Sequence, residues 1–244
     1  MAFKKNFKEV DPSIFYAPEI SSTHLLPQDE AVHALRVLRL QPGTLIHITD
    51  GKGNLYTATL EGSNPKSATL ANLQLVKTEE RYRPFLHLAI GPTKNIDRIE
   101  WTLEKLIEVG IDKVTFVNSE HTIRTRINMD RMQRIMIAAM KQSEKLSVVE
   151  LSIAESLDEL IDSDQSHQKF IAYCGGEYER MELKDCFTKG KSTTFLVGPE
   201  GDFTPEEVRK ASASGYQVVS LGRERLRTET AGLYVGMLHQ ILND

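Results

Sequence analysis

Residues 195–233, FLVGPEGDFTPEEVRKASASGYQVVSLGRERLRTETAGL, constrain the fold more than any other stretch of the chain. An apolar run ending at Val197 leads into Gly198-Pro199-Glu200-Gly201. Thr204-Pro205-Glu206-Glu207 then reads as a helix start, with an N-cap, a proline at the first helical position and acidic first-turn residues. A short strand over 217–221 follows, then a second glycine loop over 222–227, then a helix opened by Thr228-Glu229-Thr230-Ala231. Two buried strands, each ending in a glycine loop before a helix, make a ligand crevice at the carboxyl ends of a parallel sheet. Either loop alone also fits a tight turn with a C-cap glycine in an ordinary α/β protein; two so close together, both rich in charge, favour the ligand site. Neither G-x-G-x-x-G nor G-x-x-x-x-G-K-[ST] occurs in the chain, so this is not a common nucleotide fingerprint.

The rest of the chain divides by period. Residues 12–77 are β-rich: 44–49 and 55–60 alternate around the turn Asp50-Gly51-Lys52-Gly53-Asn54, and 68–76 is a further strand. Residues 27–40 predict a helix, with Ala31, Leu35 and Leu38 on one face and His33, Arg36 and Arg39 partly on the other. The polar segment 79–84 reads as a linker. Beyond it strands and helices alternate: 85–90, 113–117, 169–173, 193–197 and 218–221 as strands, and 96–109, 129–142, 205–214 and 230–242 as helices. Such alternation argues for a parallel sheet covered on both faces. The expected domains are therefore 1–78, a small β-barrel carrying one helix, and 85–244, an α/β unit.

Length and composition suit one large or two small globular domains: 244 residues, 40% apolar and 26% charged. No apolar run approaches membrane-spanning length, and the N-terminus MAFKKNFKEVDPS has no leader-like apolar core, so the expectation is a cytoplasmic protein without a membrane partner. The two cysteines, Cys174 and Cys186, fit free thiols, and no metal-ligand spacing is present. The net charge of −4 is unevenly distributed. Residues 81–145 carry 12 Lys and Arg against 8 Asp and Glu, whereas 146–244 carry 10 against 17. The basic zone, including Arg124, Arg126, Arg131, Arg134, Lys141 and Lys145, suits phosphate contacts or equally a solvated helix face.

The pair GPEGDFTPEE and LGRERLRTETA closely resembles the bacterial 16S ribosomal RNA uridine-N3 methyltransferases, of the SPOUT or α/β-knot superfamily. The resemblance continues through EAVHALRVLRLQPGTLIHITDGKGNLYTATL, KNIDRIEWTLEKLIEVGIDKV, NSEHTIRTR and AAMKQSEK, in the family's order. Where the family often has Gly-Gly after Pro-Glu, this chain has Gly201-Asp202; His121 stands where Arg is usual, and Lys141 and Lys145 replace a common Glu and Arg. The resemblance implies an N-terminal PUA-like RNA-binding barrel and a SPOUT domain whose last segment threads an earlier loop as a deep trefoil knot. It also implies a homodimer, S-adenosylmethionine (SAM) as methyl donor with S-adenosylhomocysteine as product, no metal, and 16S rRNA in the small ribosomal subunit as substrate.

On that basis Tyr173, Leu196, Gly198, Pro199, Gly201, Leu221, Gly222, Leu226 and Thr228 are expected to form the cofactor cleft, the glycines admitting a close backbone approach to the ligand. The leucines serve equally as core. Methylating N3 of uracil requires loss of its proton and stabilisation of the resulting imidate. Arg227 is the candidate stabiliser, and Glu229 and Glu200 are candidates for base or orienting group. Glu229 is also what a helix N-terminus favours electrostatically. His33, Arg36, Arg39, Lys94, Arg98, Arg124 and Arg126 are the candidate RNA contacts. The alternatives are a SPOUT methyltransferase with another RNA target, and a non-catalytic RNA-binding or ribosome-assembly factor.

Overall fold

Alternating apolar residues and a side-chain-braced turn build the N-terminal sheet. The computed structural model describes residues 13–244, and the stretch MAFKKNFKEVDP, read above for a leader, lies outside them. Strands β1 (Ile14–Tyr16), β2 (Leu25–Leu26), β3 (Leu45–Thr49), β4 (Asn54–Leu60) and β5 (Ala68–Thr78) form a five-stranded sheet in the order β1-β3-β4-β5-β2. At the β3–β4 turn Asp50 accepts from the backbone N–H of Lys52 (2.8 Å) and Asn54 (3.2 Å), and from the Asn54 side chain (2.7 Å). Ile46, Ile48, Ala58, Leu60, Ala68 and Leu70 face inward, onto Phe15, Ile20, Leu26, Ala31 and Ala34.

Between β1 and β2 lies the single turn α1 (Ile20–Thr23). The helix expected over 27–40 is a short α-helix, α2 (Gln28–Val32), running into a π-helical turn at His33–Val37. The wider turn changes which side chains share a face: Ala34 is buried, His33 packs on Phe15 with ring centroids 6.1 Å apart, and Arg36 and Arg39 are exposed. Residues 140–148 return to this unit, where the Leu146 carbonyl accepts from Gly53 N–H (3.0 Å) and Thr49 Oγ1 (2.9 Å), and Lys141 pairs with buried Glu30 at 2.6 Å.

The second unit comprises residues 81–139 and 149–244. Its seven strands are β6 (Leu86–Ile90), β7 (Lys113–Val117), β8 (Glu150–Ala154), β9 (Gln168–Ala172), β10 (Met181–Glu182), β11 (Thr193–Val197) and β12 (Gln217–Ser220). They pair in parallel in the order β10-β12-β9-β11-β6-β7-β8. Every residue of β6 and β11 is buried, as the central strands of a sheet covered on both faces must be. The helices are α3 (Ile96–Val109), α4 (Met129–Gln142), α5 (Leu157–Ser163), α6 (Leu183–Cys186), α7 (Pro205–Ala213) and α8 (Thr228–Asn243). Asn95 caps α3 by accepting from Asp97 N–H, and Ile99, Leu103, Leu106 and Ile107 are its buried stripe. The α7 start is a full capping box, Thr204 with Glu207. Sequence patterning does not show β8, α5 or the short elements β1, α1, β2, β10 and α6. Among the described residues no helix is long and apolar enough to cross a membrane.

Two buried histidines tie this unit's stability to pH. His87 on β6 shares a 2.8 Å hydrogen bond with Thr115 Oγ1; burial, and then the nearby Lys113 charge, push its pKa down to about 4. His239 on α8 is fully buried edge-on to Phe187 with neither ring nitrogen hydrogen-bonded; burial, then Arg83, hold its pKa at about 4. In the unfolded chain both take a proton near pH 6.5. The stability from keeping them neutral is thus complete above pH 6.5 and is lost as pH falls towards 4, by up to about 3 kcal/mol for each. Urea denaturation between pH 7 and pH 4.5 should show a falling midpoint, and His239→Leu should make that fall shallower.

Candidate functional site

The two glycine loops meet at the carboxyl ends of β9, β11 and β12, around a cavity of about 1130 Å³. Its wall is built from residues 172–175, 197–203 and 219–229, with Arg98, His121 and Arg180. Strand register accounts for the meeting: Val197 pairs with Ile90 on one side and with Ala172 on the other, so three strands end level.

The glycines of the first loop are closely packed within the protein. A Cβ on Gly198 would lie 3.1 Å from Asp202 Cα, and one on Gly201 would lie 2.8 Å from His121 Cβ. A Cβ on Gly91, in the Gly-Pro that follows β6, would come within 2.6 Å of Pro199 N. Gly222 differs: its φ is +124°, and nothing lies within 4 Å of where its Cβ would be.

Asp202 adopts φ +61°, a left-handed conformation that Asp tolerates better than most residues. Its carboxylate accepts from the N–H groups of Phe203 and Cys174, both at 2.8 Å, tying the β11 loop to the β9 loop. His121 supports the same loop, its Nδ1–H donating to the carbonyls of Gly201 (2.9 Å) and Asp202 (3.1 Å). Thr228 Oγ1 donates to the Gly198 carbonyl at 3.0 Å, joining the start of α8 to the first loop.

Of the other expected cleft residues, Pro199 is buried, and Leu221 and Leu226 are half-buried in the wall, where they present apolar surface to the cavity. Leu196 is not in the wall; strand alternation turns it into the core under α7, and Val197 lines the cavity instead. Tyr173 is in the wall. Its ring is buried and its hydroxyl donates to Glu177 at 2.9 Å; burial and that carboxylate push its pKa up to about 12.

Glu229, in the first turn of α8, is the most enclosed charge in the wall. Only 8% exposed, it faces Arg98 at 3.3 Å and Arg227 at 4.0 Å through Oε1, while Oε2 is buried without a hydrogen-bond partner. Glu200 is exposed, and its Oε1 accepts from Lys94 N–H at 2.9 Å. The Arg124 guanidinium donates to the Lys94 carbonyl, so it braces a loop. Arg126 is exposed, and His33, Arg36 and Arg39 belong to the N-terminal unit. Sequence reading missed Gly91, His121, Asp202, Arg180 and Arg225. Gly91 could have been found, because Ile90-Gly91-Pro92 repeats the grammar of Val197-Gly198-Pro199.

The RNA methyltransferase domain family matches residues 80–240, and the RNA methyltransferase PUA domain family matches residues 26–71. A probable rRNA-methyltransferase from Porphyromonas gingivalis superposes with a TM-score of 0.87 at 40% identity, over 95% of this chain and 98% of that one. A ribosomal RNA small subunit methyltransferase E from Neisseria gonorrhoeae, solved bound to S-adenosyl methionine, gives 0.79 at 31% identity, over 95% and 98%. The Synechocystis protein of the same name is 27% identical over 88% of this chain and 72% of its own.

The glycine contacts make a direct prediction. Gly91→Ala forces a Cβ against the Pro199 backbone and should destabilise the protein by about 1–3 kcal/mol. Gly176→Ala, at a position with open space around it, should change stability by less than about 0.5 kcal/mol. Chemical denaturation of the two variants beside the wild type measures both.

Proposed function

The chain belongs to the RNA methyltransferase family, and from that premise we propose that it transfers a methyl group from SAM to N3 of a uridine in the 16S rRNA of the small ribosomal subunit. The observation that carries this reading is the convergence of both glycine loops and the Arg98–Glu229–Arg227 cluster on one cavity. The names of the Neisseria and Synechocystis relatives support the ribosomal small-subunit target. A ribosomal substrate puts the activity in the cytoplasm.

The residues present fit SAM. The cavity is large enough for a nucleoside with an amino-acid arm. Leu221, Leu226 and Val197 give apolar surface for adenine, and the strand-end backbone at 173–175, 198–201 and 221–222 gives main-chain donors and acceptors. Glu200, Asp202 and Glu229 stand in the same wall as Arg98, Arg180, Arg223, Arg225 and Arg227, which therefore carries both signs of charge. When bound, SAM supplies an electrophilic methyl carbon on a sulfonium that leaves as a neutral thioether.

The protein's part is to make N3 a nucleophile and hold it in line. Glu229, which lines the cavity, takes the N3 proton. Arg98 and Arg227, which flank it, face the negative charge that spreads onto the uracil carbonyls as the proton leaves. Thr228 holds the cluster to the first loop through Gly198. Glu200 orients Lys94. The reading gives phosphate contacts to Arg36, Arg39, Lys94 and Arg126, with His33 and the flank of Arg98 as lesser contacts, so affinity for RNA falls as salt rises.

The reading includes a trefoil knot and a homodimer. The knot is supported by the path of α8, which leaves β12 yet packs on α3, β6 and β11. The dimer is supported by an exposed apolar stripe on α8, Tyr234, Met237 and Ile241, at helical spacing. Met237→Glu with Ile241→Glu should convert a dimer to a monomer in light scattering.

Labelled SAM, small subunits lacking their methylations and nucleoside mass spectrometry test the reaction. A labelled 3-methyluridine is expected. Glu229→Gln and Arg227→Ala should each lower the rate about 10²–10³-fold with SAM binding retained, and Gly198→Val should abolish SAM binding. Label on another nucleoside keeps the methyltransferase and removes this target. Absence of both label and SAM binding leaves an RNA-binding factor.

A further inference from the structure

The chain between β7 and α4, residues 118–128, forms neither helix nor strand and carries Arg124 and Arg126. Its outer part is open to solvent, with Ile123 70% exposed. Its inner part is fastened to the loop after β11. His121 lines the cavity, its Nδ1–H donating to the carbonyls of Gly201 (2.9 Å) and Asp202 (3.1 Å). One residue earlier, Glu120 N–H donates to Glu207 Oε1 at 2.9 Å. Glu207 Oε2 meanwhile accepts from the N–H (2.8 Å) and the hydroxyl (3.1 Å) of Thr204, in the α7 capping box. One carboxylate thus serves the helix cap with one oxygen and the arginine loop with the other.

A second path joins the same loops. Glu200 accepts from Lys94 N–H at 2.9 Å, and the Lys94 carbonyl accepts from Arg124 Nε (3.2 Å) and Nη2 (3.1 Å). The arginine loop therefore meets residues 200–207 directly through Glu120 and His121, and again from Arg124 by way of Lys94. The direct contact is tight, because a Cβ on Gly201 would lie 2.8 Å from His121 Cβ. A ligand in the cavity and His121 hold the same turn, 198–202. Whatever fixes that turn fixes the point from which Arg124 and Arg126 are presented. A ligand that favours the latched loop is favoured by it to the same degree.

We propose that His121 and Glu207 latch the arginine loop to the cofactor turn, so that bound SAM holds the loop in place for RNA and the two ligands bind cooperatively. This rests on the reading above and adds an order of preference to it: the form that grips RNA is the form carrying its methyl donor. His121 acts here as a positioning residue. Its Nδ1–H makes the latch, so Asn, whose side-chain N–H lies as far from the backbone, can replace it and Ala cannot. Gln at position 207 would offer a single acceptor oxygen for two tasks.

Trypsin reads the latch, because cleavage after Arg124 or Arg126 requires the loop to be drawn out of place. Saturating S-adenosylhomocysteine, with occupancy set by equilibrium dialysis, should slow both cuts about tenfold. The cut after exposed Lys189, which precedes the amino end of β11, should keep its rate. His121→Ala should be cut fast with or without the ligand. His121→Asn should recover protection to within about threefold of the wild type, and Glu207→Gln should lose about threefold. In filter binding, S-adenosylhomocysteine should tighten the wild-type protein's hold on small subunits lacking their methylations about tenfold, and that of His121→Ala less than about twofold. Equal protection of wild type and His121→Ala overturns the proposal, as does ligand binding without protection. So does a His121→Asn protein no better protected than His121→Ala, which would make His121 a direct ligand contact. Protection without tighter subunit binding overturns the cooperativity. Formation of 3-methyluridine without protection removes the latch alone. Protection and tighter binding without methyl transfer support the latch and remove the reaction.

Discussion

The site depends on one register. β11 is hydrogen-bonded on both edges, and its last residue, Val197, is level with Ile90 on β6 and Ala172 on β9. Gly91 N–H donates to the Val197 carbonyl at 2.8 Å, so the chain after β6 turns exactly where the chain after β11 does. A shift of either neighbour would separate Gly91 from Pro199 and Cys174 from Asp202, and the wall would lose two of its ties. The geometry of the site follows from sheet pairing in the strands that lead into it.

Electrostatics follow the same logic of local arrangement over total charge. The chain is net acidic, yet Arg98, Arg180, Arg223, Arg225 and Arg227 all reach the cavity wall. Arg98 and Arg227 share one carboxylate, Glu229, at close range. Glu229 shows the effect best: two guanidinium groups at 3.3 and 4.0 Å compensate its charge, at the end of a helix whose dipole also favours an acid.

Much of this was legible in the sequence. Strands β7 and β11 and helices α3 and α4 were placed to the residue, because long periodic patterns with caps leave little choice. The sequence pattern reads the loops of 198–201 and 222–227 as one site, and both line one cavity. What the sequence hid has physical causes. β8 is half exposed along its length, so Glu150–Ala154 lacks the apolar run of its neighbours. The π-turn at His33–Val37 has no propensity signature and shifts a helical face by one residue. Leu196 was assigned to the cleft although alternation beside Val197 turns it to the core. The close packing at Gly198 and Gly201 is against Asp202 and His121, and the contact with His121 spans 80 residues that no local pattern reports.

The return of residues 140–148 to the N-terminal unit has a topological price. Among the described residues the chain passes between the units at 80–81, at 139–140 and at 148–149, the second time within α4. A fragment ending at Glu80 would therefore leave behind Leu146, whose carbonyl serves Gly53 and Thr49, and Lys141, the counter-charge of buried Glu30. The two units are separable as compact bodies and inseparable as stretches of gene: no single cut yields the first one whole, and recombination between relatives would have to exchange two segments together.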